Sequence, residues 1–300
     1  MASTGYAQIR TSEDPRFLYH YLHLESFTAE VMNRCTGTSY PAINSSDLGS
    51  IEISLPSKQE QTKIANFLTA VDDKVSQLTK KHELLTLYKK GVMQKIFSQE
   101  LRFKDDEGRE FAEWEERRLG EIAKFHRGSQ LAKADLITNG DFPCIHYGQL
   151  FTIYSEVIDI VRSKTNIDNG FLSKFGDILM PSSDVTPQGL AKASSLLQTG
   201  VVLGGDINVI RLSHGHSSVM LSYLLNYEKK QIIGLVSGTT VKHIYTKDLN
   251  EIILRLPTSN QEQTKIANFL TAIDGKITNV KSQLEAAKEY KQGLLQQMFV

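Results

Sequence analysis

Gln59-Glu60-Gln61-Thr62-Lys63-Ile64-Ala65-Asn66-Phe67-Leu68-Thr69-Ala70 decides how this chain is read, because the same twelve letters return at Gln261–Ala272. Similarity runs on past both ends, so the word belongs to an internal repeat. Leu55-Pro56 and Leu256-Pro257 precede the two copies, and no proline follows in either. Proline is accepted at a helix start and excluded from its interior, so each copy opens a long helix. In the first, apolar positions alternate by four and three through Ile64, Leu68, Val71, Val75, Leu78, His82, Leu85, Lys89, Val92 and Ile96. In the second they are Ile266, Leu270, Ile273, Ile277, Val280, Leu284, Ala287, Lys291, Leu294 and Met298. That is a heptad seam with polar exceptions at His82 and at the matched Lys89 and Lys291. A helix from about residue 60 to 98 is roughly 58 Å long at ~1.5 Å per residue. Equal length and register make each helix the partner of the other. The repeat order makes the pair antiparallel, with Leu68 and Val71 expected against Leu294 and Met298.

Working outward, the repeat reaches back to the amino-terminal region. Gly37-Thr38, Ile43, Leu48, Ile51, Ile53 and Leu55, shifted by 201, meet Gly238-Thr239, Ile244, Leu249, Ile252, Leu254 and Leu256. Ile9-Arg10 meets Ile210-Arg211. Upstream of Ile210 the second copy continues to about Trp114 with nothing to match it in the first. The expectation is a chain that starts within its first repeat unit, with 1–54 the carboxy-terminal remnant of a domain. Residues 55–100 are then a first spacer helix, 101–113 a charged linker, 114–255 a complete domain and 256–300 a second spacer helix. In the remnant, Phe17–Met32 has helical spacing. In 114–255, short strands are expected at Ile122–Phe125, Phe142–Tyr147, Ile153–Val161, Asp177–Met180, Val201–Leu203 and Asn208–Leu212, with a helix at Ser217–Glu228. The fold class is α+β.

Three hundred residues point to about two domains. Lys+Arg and Asp+Glu both number 34, so no global basic charge advertises nucleic acid, although a local basic face is enough for it. Cys35 and Cys144 stand far apart without metal-ligand or redox spacing, which suits reduced thiols in a cytoplasmic protein. Met1–Gly5 opens no signal peptide, and no apolar run approaches the ~20 residues of a membrane span.

Catalytic signatures are absent. There is no Gly-x-Gly-x-x-Gly, phosphate-binding loop, His-Glu-x-x-His or nucleophile elbow, and no Asn/Asp-Pro-Pro-aromatic motif of amino methyltransferases. His214-Gly215-His216 could ligate a metal, but reads as a polar loop, and no metal site is assigned. What the domain does carry is loops of hydrogen-bonding side chains. They are Arg127-Gly128-Ser129-Gln130, His146-Tyr147-Gly148-Gln149, and Ser182-Ser183-Asp184-Val185-Thr186-Pro187-Gln188-Gly189 followed by Lys192. Such residues read base edges in the major groove and hold phosphates.

The repeated Leu-Pro … Gln-Glu-Gln-Thr-Lys-Ile-Ala-Asn-Phe-Leu-Thr-Ala-Val/Ile-Asp resembles the conserved region of the specificity subunits of type I restriction-modification systems. So do Trp114-Glu115-Glu116-Arg117-Arg118-Leu119-Gly120-Glu121-Ile122, Ile145-His146-Tyr147-Gly148, and Ser237-Gly238-Thr239-Thr240 with Ile244. The resemblance covers essentially the whole chain. It implies a non-catalytic subunit of a phage-defence system, in which each recognition domain reads half of a bipartite DNA site and the helices fix their separation. It implies double-stranded DNA and methyltransferase subunits as partners, with S-adenosylmethionine bound by those subunits and not by this chain. Restriction-translocation subunits can join. Thr239 and Thr240 then join the loop residues as candidate DNA contacts. With one complete recognition domain, the expectation is a reader of one half-site, paired with a second copy or with a complementing half-subunit. The alternative is an interaction-only remnant or decoy that binds modification subunits without directing them.

Overall fold

The computed structural model describes residues 6–299; Met1–Gly5, where the reading for a signal peptide falls, and Val300 lie outside the described residues. The chain divides into two compact units, Met1–Thr86 with Lys276–Val300, and Leu87–Gly275. The long helices, Lys58–Phe97 and Asn260–Met298, each contribute to both.

In the first unit the two helices pack antiparallel. Ile64, Ala65 and Leu68 meet Leu294, Leu295 and Met298, whereas Leu78 meets Val280 and Leu284 beside Val75, Leu85 and Ala287. Phe17 closes the first of these clusters. Of the seam residues, Val71, Val75, Ile277, Leu294 and Met298 are half-buried. Ile64, Leu68, Leu78, Ile266, Leu270, Ile273 and Val280 are buried. The lysines that interrupt the heptads are not defects. Lys291 Nζ lies 2.6 Å from Asp72 in the first unit, and Lys89 Nζ lies 2.7 Å from Asp274 in the second. The repeat relates these two ion pairs to each other.

The repeated glutamine is explained in the same way. Gln61 Oε1 accepts from the Asp14 N–H at 3.2 Å and its Nε2 donates to the Pro56 carbonyl. Gln263 accepts from Ser217 N–H at 2.8 Å and donates to the Pro257 carbonyl. Asp14 and Ser217 cap the helices Pro15–Leu22 and Ser218–Tyr227. Each glutamine therefore ties the start of a long helix to the start of its neighbour, satisfying backbone groups that a helix terminus leaves open. The single helix expected over Phe17–Met32 is two, Pro15–Leu22 and Glu25–Arg34. Leu24 adopts extended backbone between them and is buried, which the helical spacing of the flanking residues conceals. Gly37 and Gly238 both sit at φ +99°, a conformation that favours glycine, so the matched Gly-Thr pairs mark one turn built twice.

His20 is 3% exposed, with Nδ1 3.8 Å from Asp72. Burial pushes its pKa down; Asp72 opposes this, while Lys291 and His23 reinforce it. The folded state thus holds it neutral. Its contribution to stability is complete above the unfolded value of ~6.5 and is lost as pH falls through the lower folded value. His20→Tyr, the residue that Tyr223 supplies at the matching helix position, is expected to flatten the urea-melt stability of the first unit between about pH 7 and pH 5. An unchanged slope would dismiss His20 as its source.

The second unit carries the strands β1 (Glu115–Arg118), β2 (Ala123–Arg127), β3 (Phe142–Ile145), β4 (Val157–Ile158), β5 (Ser163–Thr165), β6 (Phe171–Leu172), β7 (Asp177–Pro181), β8 (Ser183–Asp184), β9 (Ser194–Leu196), β10 (Val202–Leu203), β11 (Ile207–Leu212), β12 (Lys242–His243) and β13 (Ile253–Leu256). A five-stranded sheet runs β2-β11-β7-β9-β4, antiparallel except for β4 on β9. A four-stranded sheet runs β5-β3-β10-β6, and β1–β13 and β8–β12 form two-stranded pairs. Leu150, Ile158, Leu179, Leu203, Ile207 and Val209 fill the space they enclose. Several expected strands differ in extent: Ile122 ends a helical turn, and β2 starts after it and runs on to Arg127; β3 stops at Ile145; and of Ile153–Val161 only β4 pairs. Among the described residues no helix is long and apolar enough to cross a membrane.

Candidate nucleic-acid interface

One edge of the second unit gathers most of the polar loops. β2 pairs with β11 so that Arg127 lies opposite Asn208, directly after the turn Gly204-Gly205-Asp206. A Cβ on Gly128 would stand 1.9 Å from the Gly204 carbonyl oxygen, so only glycine lets the two loops touch. Arg127 Nε donates to the Gly205 carbonyl at 2.8 Å, and its Nη2 to Asp206 Oδ1 at 3.0 Å. The guanidinium is thereby aimed while more than half its surface stays open, at 57%. Asp206 also accepts from the Ser182 hydroxyl at 3.4 Å, and its carbonyl accepts from the Ser182 N–H. From Ser182 the chain enters β8, whose pairing with β12 sets Asp184 opposite Lys242. The Ser182–Gln188 loop thus lies beside the turn that carries Thr239 and Thr240.

Arg127, Gln130, Thr186, Gln188, Thr239 and Thr240 are exposed. Ser183 and Asp184 are half-buried, and Asp184 accepts from the Thr186 hydroxyl at 2.7 Å. Beside Arg127 is a cavity of ≈ 590 Å³ lined by Gln130, Leu131, Lys133, His146, Tyr147 and Asp206. The His146 and Tyr147 rings lie 4.5 Å apart. Burial holds the His146 pKa down against the pull of Asp206. The imidazole is therefore neutral, and because Nδ1 accepts from the Gly148 N–H, Nε2 carries the proton as a donor.

Four expected contacts are spent elsewhere. Gln149 is 6% exposed; it accepts from the His146 N–H and donates to Ser163 Oγ. His146-Tyr147-Gly148-Gln149 does not end a strand but caps the helix Tyr147–Thr152. Ser129 Oγ accepts from the Phe171 N–H at 2.6 Å, and Ser182 is 4% exposed. Lys192 Nζ donates to the Tyr154 carbonyl at 2.7 Å, and burial lowers its pKa. A lysine so engaged is not free for a phosphate. Sequence reasoning missed Asp206, which aims Arg127, and Lys133, which lines the cavity. Gly204-Gly205 ahead of Asp206 was the available signal for a tight turn against another loop. His214 and His216 gather no metal-binding group: among the described residues no cluster of three His, Cys, Asp or Glu side chains stands together.

The chain matches the family described as Type I restriction modification DNA specificity domain over residues 2–87 and 112–289. The chain belongs to that family. The two matched stretches carry the two copies of the repeat, and DNA-sequence recognition is the role of this specificity chain. It is similar to the type I restriction enzyme MjaVIII specificity subunit of Methanocaldococcus jannaschii, at 27% identity over 316 residues, 94% of this chain and 69% of that protein. It is also similar to the MjaIX specificity subunit of that organism, at 23% identity, covering 93% of this chain and 67% of that one. Among solved structures, the S subunit of the type I restriction-modification system of M. genitalium superposes with a TM-score of 0.65, at 20% identity, over 96% of this chain and 73% of that one. At that identity the likeness speaks for the fold alone.

Proposed function

We propose that this specificity chain reads one half of a bipartite site in double-stranded DNA and acts as the scaffold of a type I restriction-modification assembly. The observation that carries the DNA-reading part is the edge on which Arg127, Gln130, Gln188, Thr239 and Thr240 stand exposed, with Arg127 aimed by Asp206. A positioned guanidinium suits the two acceptors of a guanine edge, and exposed amides and hydroxyls suit other base edges and phosphates. The antiparallel helices set the spacing and offer the platform on which methyltransferase subunits dock. Those subunits bring S-adenosylmethionine and extrude the adenine that they methylate. The chain itself supplies no catalytic group, and it works in the cytoplasm.

Mapping adenine methylation in cells that carry the modification subunits, with and without this chain, tests the reading. A motif methylated only when the chain is present is expected. Identical methylation in its absence refutes it.

Side-chain placement separates two kinds of variant. Gln188→Ala is expected to relax preference at one base pair by ~1–3 kcal/mol if it makes a bidentate contact. Gln149→Ala leaves the His146 N–H and Ser163 without their partner and is expected to lower stability by ~1–3 kcal/mol while sparing sequence preference. Competition binding on a panel of single-base variants, alongside thermal melts, reads both. The edge is wrongly assigned if Gln149→Ala changes base preference and Gln188→Ala does not.

A further inference from the structure

Aiming Arg127 does not account for the charge of Asp206. The Gly205 carbonyl already accepts from Arg127 Nε at 2.8 Å, and a second neutral acceptor would serve Nη2 as well. A carboxylate on an edge that meets a polyanion opposes the phosphates. Asp206 nonetheless stands in the open, its side chain 42% exposed.

The work of the carboxylate is divided between its oxygens. Oδ1 takes both protein donors, Arg127 Nη2 at 3.0 Å and the Ser182 hydroxyl at 3.4 Å. Oδ2 takes no donor among the described residues. The backbone beneath is fixed as well. The Ser182 N–H donates to the Asp206 carbonyl at 2.9 Å, and the Gly128 N–H donates to the Ile207 carbonyl at 2.9 Å. The guanidinium is divided in the same way. Its Nε–Nη2 side is spent on Gly205 and Asp206. Nη1 has no partner among the described residues, and with the second Nη2 hydrogen it forms a fork that matches O6 and N7 of guanine. Oδ2 shares its carboxyl carbon with the oxygen bonded to Nη2. Whatever meets Oδ2 therefore lies beside the base that the fork takes.

DNA closing over this edge removes water from Oδ2. A charged acceptor left there without a donor costs its full desolvation. The major groove offers two kinds of donor, the amino groups of cytosine and adenine. Adenine sets its N7 acceptor beside the amino group, where it repels a carboxylate. Cytosine presents its N4 amino group alone.

We propose that Asp206 is a specificity-determining residue: Oδ2 accepts from the N4 amino group of a cytosine adjoining the guanine that Arg127 takes, in the same base pair or the next. This contact rests on the DNA-reading edge proposed above and gives that edge a second base, read by an acidic residue. Arg127 and Asp206 are neutral as a pair, so they add base selectivity and little affinity for phosphates.

The full chain, assembled with modification subunits on the bipartite duplex that methylation mapping defines, provides the test. Each cytosine of the recognised half-site is replaced in turn by pyrimidin-2-one, which lacks the amino group, and competition binding is measured. The parent chain should lose about tenfold or more at one cytosine adjoining a guanine, the equivalent of ~1.4 kcal/mol. Asp206→Asn keeps one oxygen for Arg127 and Ser182 and puts an NH2 donor in place of Oδ2. It should bind the natural duplex more weakly and be indifferent to that same replacement. Comparing the two chains cancels what the replacement does to the duplex itself. Arg127→Ala reports on the edge independently and should relax preference at the adjoining guanine. If it does so while no replaced cytosine costs the parent chain anything, Asp206 only aims Arg127 and the proposal falls. It falls too if Asp206→Asn keeps the tenfold penalty. If Arg127→Ala leaves every base preference unchanged, the edge itself is misassigned and the cytosine contact goes with it. Melting curves verify that the variants fold, and the cytosine scan on the parent chain needs no variant.

Discussion

Leu68→Asp is expected to unfold the first unit at neutral pH. Leu68 is 0% exposed among Phe17, Leu294, Leu295 and Met298, where both long helices and the helix Pro15–Leu22 meet. Truncating a buried leucine alone costs ~2–5 kcal/mol. A carboxylate placed there has no free cation beside it: Lys291 is engaged with Asp72, so the charge adds several kcal/mol more or forces the carboxyl to bind a proton. The total is comparable to the ~5–15 kcal/mol that holds a whole domain. Hydrogen exchange should show the amides of Phe17–Tyr21 losing protection. Leu84→Asp on the same helix is the control. Leu84 is 53% exposed, and a surface substitution of this kind stays within ~0.5 kcal/mol. Native protection in Leu68→Asp would mean that the seam is not what holds this unit together.

The long helices were legible because a heptad is a periodic signal sampled many times along each copy. The repeat doubled that signal. Polar seam residues were harder. Lys89 and Lys291 look like interruptions in a one-dimensional pattern, and their partners Asp274 and Asp72 sit on the other helix, at a distance that only the antiparallel register defines. The strands of the recognition unit were found where an apolar run coincided with pairing, as at β7 and β11, and were overextended at Ile153–Val161, where apolar residues cover the core without pairing. Side-chain role was the least legible feature. Gln149 and Gln188 are the same residue type in loops of similar composition. One is 6% exposed and closes a helix cap, and the other faces solvent. Composition identifies groups able to read a base edge, but not those already bonded to the protein. Asp206 was invisible for the converse reason: its role comes from Arg127 and Ser182, both distant in sequence.

Lys89→Met is expected to cost more than Lys291→Met, although the repeat makes the two lysines equivalent. Lys89 Nζ lies 2.9 Å from Glu156 and 2.7 Å from Asp274, and 5.1 Å from the centre of the Tyr223 ring. The Tyr223 hydroxyl in turn donates to Asp274 at 2.5 Å. The three charged side chains are 13%, 21% and 20% exposed. Burial already holds the Asp274 carboxyl above the usual carboxylate range, with Lys89 and the tyrosine hydroxyl opposing. Methionine fills similar volume but leaves two carboxylates facing each other without a cation. Removing one partner of a buried pair costs ~3–5 kcal/mol. Lys291 serves one carboxylate, Asp72, and the two side chains are 28% and 33% exposed. Water can replace much of that interaction, so ~1 kcal/mol is expected there. The pH dependence separates charge repulsion from lost packing. A carboxyl with a raised folded pKa binds its proton more tightly in the folded state, so its destabilising effect is present above that pKa and fades as pH falls through it. Lys89→Met should therefore recover stability relative to the parent chain as pH falls from neutral through that raised pKa. Equal costs for the two variants in urea melts, or a Lys89→Met deficit that is flat with pH, would remove the Lys89, Glu156 and Asp274 cluster as the electrostatic centre of the second unit.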